Sequence, residues 1–193
     1  MGYSTNFWIN SDAYSAPVQR VWIGRQTLTA AQAATLDADG LLAAVALPAA
    51  AANYTTFAHA MPYARNITAV CSGAQAGNMV VTGTNIDDKV ITETITLNGN
   101  TPVTSVKAFK TVTNIRLPIK AGSETINVGW GDKIGIPFML GAAITRPIIE
   151  ATFLGVIEAT APTITADADE LEKNLIDLDT ALDGSEVCIY YQF

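Results

Sequence analysis

Apolar positions recur at every second residue through much of this chain. Ile67, Ala69 and Cys71 alternate with Thr68 and Val70, and Met79 and Val81 alternate with Val80 and Thr82. In ITETITLNG, residues 91–99, Ile91, Ile95 and Leu97 share one face with Glu93, while Thr92, Thr94 and Thr96 share the other. A period of two is the mark of a strand with one buried face. Gly73, Gly77, Gly83 and the Asn98-Gly99-Asn100 turn punctuate these runs at hairpin spacing. In KAFKTVTNIRLP the alternation slips at Phe109, Val112 and Ile115, which predicts a bulge or single turn near residues 108–110. Glu124, Ile126, Val128 and Trp130 line a further face, with a bend expected at Gly129-Trp130-Gly131. Residues 133–138, 147–158, 174–179 and 186–193 complete the strands, and Asp183-Gly184 reads as a turn.

The first third is less regular. A short strand fits residues 19–23. Thr29 to Leu36 reads as two helical turns with Thr29 as N-cap and Asp39-Gly40 as the stop. Residues 41–52 are apolar and Ala-rich around Pro48, a strand and then a connector. Roughly eight to ten short strands with turns every 8–12 residues predict an all-β fold, an antiparallel β-sandwich or jelly-roll-like barrel with an irregular N-terminal arm. No amphipathic helices alternate with the strands, which disfavours an α/β sheet. The expected division is residues 1–55 as arm and connector and 56–193 as the sandwich.

The Thr row keeps a strand face wet without charge, because Thr is β-branched and suits the pleated surface. Glu93 stands among apolar neighbours and needs a partner there. Arg65, Lys107, Lys110 and Arg116 are the candidates, in a structural ion pair rather than a catalytic acid.

Composition sharpens this picture. The chain has 193 residues, 49% hydrophobic and only 15% charged, with a net charge of −7. So few charges point to a surface partly covered by other subunits. The acidic balance, without any Lys/Arg cluster, disfavours nucleic acid. The longest apolar run, residues 41–52, is too short for a bilayer, so no membrane is expected. The opening MGYSTNFWINSD lacks the pattern of a secretory signal, so synthesis in a cytoplasm is expected.

Candidate chemistry is sparse. Cys71 and Cys188 have no metal-ligand spacing and read as two buried free thiols, a bridge between them staying open. His59 is the single histidine, without a nucleophile motif to serve, and GWGDKIG (129–135) is not a phosphate loop. Asp87-Asp88, Asp167-x-Asp169-Glu170 and Asp177-x-Asp179 are acidic pairs better read as solvated loops than as calcium or glycosidase sites. No enzyme activity, cofactor or metal is therefore expected. Tyr3, Phe7, Trp8, Tyr14 and Trp22 lack a clear period, so they are the candidate interface residues, docking the arm on a neighbour. On that reading, deleting residues 1–28 abolishes association while residues 60–193 still fold.

The segments ARNITAV, GNMVVTGTNIDDKVITETITLNG and KAFKTVTNIRLP, with the tail EATAPTITADADELEKNLIDLDTALDGSEVCIYYQF, resemble small β-rich virion proteins of tailed bacteriophages. These are of the head decoration or head fibre type, and the resemblance covers residues 60–193. It implies an accessory protein on the outer capsid surface, partnered by the major capsid protein and commonly trimeric. A long fibre-like segment is missing, so the resemblance implies a compact cement protein. Two alternatives are a tail, neck or baseplate protein, and a host-glycan-binding module using Trp130, Tyr190 and Tyr191.

Overall fold

The computed structural model describes residues 23–140 and 148–192. Every strand pairing within them is antiparallel, and the fold is all-β. Sheet A holds β1 (Ile23–Leu28), β14 (Val187–Gln192), β10 (Ile148–Phe153) and β11 (Val156–Ile157), in that order. Sheet B runs β12 (Thr163–Thr165), β13 (Leu175–Asp177), β9 (Thr125–Gly135), β4 (Arg65–Cys71) and β7 (Val103–Phe109). In addition β2 (Asp37–Ala46) pairs with β9. Sheet C runs β3 (Ala52–Tyr54), β8 (Thr111–Leu117), β5 (Ala76–Thr84) and β6 (Val90–Asn98).

Two cores share the middle sheet. Ile67, Ala69, Ile126 and Val128 of sheet B pack with Met79, Val81, Ile95 and Ile115 of sheet C. Ile134 and Ile176 of sheet B pack with Leu28, Val187, Ile189 and Tyr191 of sheet A. Each fully buried aliphatic chain of this kind contributes about 1.5–3 kcal/mol. One alternate row of β9 serves both cores: Ile126, Val128 and Trp130 enter the first, Ile134 the second.

Several expectations need correction. Residues 23–54, grouped from the sequence with the arm and connector, supply β1, β2 and β3, one strand to each sheet. Leu28, Leu41, Leu42 and Leu47 from this stretch are buried core residues. Thr29 does cap a turn, as its N–H donates to Gln32 Oε1 at 2.9 Å and Ala33 N–H donates to its carbonyl at 2.9 Å. The turn is single, however, and Asp39-Gly40 lies inside β2. An Ala-rich segment without an apolar helical stripe cannot hold more turns by itself.

Gly129-Trp130-Gly131 is not a bend between strands. Strand β9 runs straight through it, because a Cβ on Gly129 would lie 1.8 Å from the Asp37 carbonyl oxygen. Glycine lets β2 approach that closely. The predicted bulge at 108–110 also shifts: β7 slips against β4 across residues 104–108, β8 slips against β5 across 112–114, and Lys110 forms the bend between them. Within the strand expected over 147–158, residues 148–157 form a hairpin whose turn residues, Leu154 and Gly155, have φ of 48° and 78°.

Candidate interaction surface

Sheet C turns an almost uncharged face outward. Asn78, Val80, Thr82 and Thr84 of β5 pair with Thr96, Thr94, Thr92 and Val90 of β6. Asn114 and Arg116 of β8 and Asn53 of β3 extend the same face. Arg116 is the one charge among these positions. Hydroxyls meet across strands, Thr84 with Thr111 at 2.8 Å, and the Thr96 hydroxyl donates to Asn78 Oδ1 at 3.1 Å. The strand pattern foretold this face, since period two with Thr outward leaves no other arrangement.

Glu93 sits where sheet C meets sheet B, and its partners are not the expected ion pair. The slip in β7 takes the Val106 and Lys107 amides out of the β4 ladder. Both donate to the Glu93 carboxylate, at 2.8 and 3.0 Å. Ser105 closes the same bulge: its hydroxyl accepts the Ile67 N–H and donates to the Lys107 carbonyl, both at 2.7 Å. A side chain thus stitches the β6 edge to the β7 edge where no main-chain ladder does. Burial pushes the Glu93 carboxyl up, against the pull of the two amides and of Lys107 and Lys173.

Three of the four cations named as candidates for Glu93 are paired elsewhere, and Arg116 stands exposed on the outward face of sheet C. Lys107 pairs with Glu170 at 2.7 Å and Glu172 at 3.2 Å, and Lys110 with Asp88 at 2.8 Å. Arg65 is wholly buried and pairs with Asp132 at 3.1 Å. Burial pushes Arg65 down to about 10 and Asp132 up, each opposed by the other's charge. This pair stands between the two cores, on the rows of β4 and β9 that fill them.

The acidic clusters serve the chain itself. Asp167 accepts the N–H groups of Asp169 and Glu170, both at 2.9 Å, and Lys173 pairs with Glu170 and Asp167. Buried Asn174 ties this loop down, accepting the Asp167 N–H at 3.1 Å and donating to its carbonyl at 2.9 Å. Asp177 lies 3.8 Å from Lys133, while Asp179 falls beyond β13. No group of three potential metal ligands gathers among the described residues.

The five aromatic interface candidates, Tyr3, Phe7, Trp8, Tyr14 and Trp22, lie outside the described residues. Of the three aromatics of the glycan alternative, two are interior. Trp130 packs in the first core with its indole N–H donating to the Thr35 carbonyl at 3.1 Å, and Tyr191 is wholly buried, donating to Gln26. Tyr190 alone is half-exposed. It stands in a cross-strand row on sheet A between Arg25 and Glu150, with the Arg25 guanidinium 5.8 Å from its ring centre. Both cysteines are free, Cys71 in the core and Cys188 only half-buried, where it accepts a hydrogen bond from Arg25 at 3.2 Å. His59 is exposed beside an open groove of about 330 Å³ formed with Leu41, Phe57, Met61 and Val112.

No family model matches the chain, and no curated protein or solved structure does either.

The sequence pattern did not single out sheet A as a surface. Its signal was the Leu154-Gly155 step inside the apolar run FLGVI, a tight hairpin whose tip carries no polar side chain.

Proposed function

We propose that this chain is a structural virion protein of a tailed bacteriophage, a capsid decoration protein that binds the outer shell as a homotrimer and stabilises capsomer contacts. The observation that carries the reading is the outward face of sheet C, a four-stranded surface with one charge. Such a face has one charge to desolvate, so burying it against another protein that meets its amides and hydroxyls costs less than burying a charged one. The resemblance over residues 60–193 supplies the virion context. A rigid two-core body clamped across a joint would raise the work needed to part its two sides.

Quantitative mass spectrometry and antibody-labelled electron microscopy of purified particles test it. The expected result is label over the head and a copy number in fixed ratio to the major capsid protein. Label on the tail, or particles without the protein, overturns it.

A further inference from the structure

Among the described residues, sheet A ends in two edge strands with no strand beyond them. Among the described residues β1 pairs with β14 alone and β11 with β10 alone. Edges of natural sheets are usually shielded by Lys, Pro, a bulge or a covering segment. Strands β1 (IGRQTL) and β11 (VI) carry neither Lys nor Pro. They expose aliphatic side chains instead. Ile23 is 68% exposed on β1, and Leu154, Val156 and Ile157 are 70%, 71% and 62% exposed on the opposite hairpin. Nine large hydrophobic side chains are exposed among the described residues, and these two edges hold four of them. Three of them gather on the hairpin, a concentration that marks a contact surface, and Ile23 stands alone on β1.

The charges at the two edges are opposite. Arg25 is the one charged residue of β1, exposed and lying against Cys188 and Tyr190 of the neighbouring β14. The other edge carries Glu150 in β10, whereas Glu158, directly after β11, is held within the chain by the Thr180 N–H at 2.8 Å. Two β1 edges would bring cation to cation, and two hairpins carboxylate to carboxylate. Only unlike edges match in both apolar surface and charge.

We infer that copies of this chain join head to tail, the β1 edge of one copy against the β10–β11 hairpin of the next. The two contacting surfaces differ, so the contact is heterologous and closes into a ring when the rotation between copies allows. The inference rests on the homo-oligomeric part of the proposed function and names the surface that forms the oligomer. It does not depend on where the oligomer sits.

The test uses two full-length variants, Ile23→Lys and Val156→Lys, each placing a buried cation in the contact from a different side. Light scattering and sedimentation at rising concentration give the mass, and thermal unfolding confirms the fold. Wild type is expected to assemble, and each variant to drop to the mass of a single chain with its cooperative transition kept. Mixed in equal amounts, the variants should form a 1:1 dimer and nothing larger, since one retains the hairpin edge and the other the β1 edge. Should Ile23→Lys lose the transition, Arg25→Glu, at an exposed position, takes its place. A wild type that stays monomeric overturns the inference, as does a folded variant that assembles normally or a mixture that stays monomeric. Assembly through these edges by a protein absent from purified particles would leave the inference standing and sink the virion reading.

Discussion

At the scale of single residues, a half-buried carboxylate, Glu93, and an ion pair, Arg65 with Asp132, carry charge into the interior. Glu93 accepts two amides that a bulge has released from their ladder, and Glu93→Ala leaves both without an acceptor. Water can reach Val106, so the expected loss is about 1–2 kcal/mol, at the low end for unpaired amides. Chemical denaturation at pH 7 measures it. Burial holds the Glu93 carboxyl above the usual glutamate range. The folded state therefore grips that proton more tightly than the unfolded chain does. This contribution to stability is complete below the ordinary glutamate value and is lost as pH rises through the folded one. Glu93→Gln should flatten that part of a stability–pH curve, leaving the slope that Asp132 contributes with the same sign. Arg65 and Asp132 give a second test. Asp132→Ala strands a fully buried cation and should cost about 3 kcal/mol, at the lower end for broken buried pairs because Asp132 reaches solvent. Adding Arg65→Met should recover most of that loss, as a denaturant midpoint would show.

Elements here are fixed as much by close approach as by alternation. Strand β9 takes β4 along one side and, on the other, β2 followed by β13. Gly129 is what lets β2 reach it. Gly129→Ala would drive a methyl group into the Asp37 carbonyl, a backbone atom that cannot swing aside, and should destabilise by about 4 kcal/mol or more. Thermal unfolding, with hydrogen exchange following the β2 amides, reads the effect. Alternation made β4, β5, β6 and the Thr face legible from residues alone, because a half-buried strand must repeat every two. It could not reveal that Gly129 belongs to a strand interior, since glycine has no side chain to place on either face. Nor could it find the Glu93 acceptors: an ion pair can be guessed from charges, but backbone amides freed by a slip in β7 have no residue code.

For the molecule as a whole, residues 23–54 cannot be set apart from the remainder. Strands β1, β2 and β3 join different sheets, and four leucines of this stretch line the cores. Removing residues 1–54 should abolish the cooperative thermal transition, contrary to the expectation that residues 60–193 fold alone. Circular dichroism and calorimetry of the truncated chain decide it. That early stretch was hard to read because β2 is irregular, its ladder with β9 interrupted twice and Ala44 at a φ of 46°. Broken pairing of this sort erases the period of two on which strand recognition depends.

Ile23 and Gln192 face each other across one ladder. Tension applied between those two residues would peel β1 from β14 one bond at a time, a weak mechanical geometry. Tension passed sideways through β1, β14 and β10 would instead load the six-residue β1 ladder all at once. A ring closed through its sheet edges would accordingly carry hoop stress well, and give way first to a pull applied between Ile23 and Gln192.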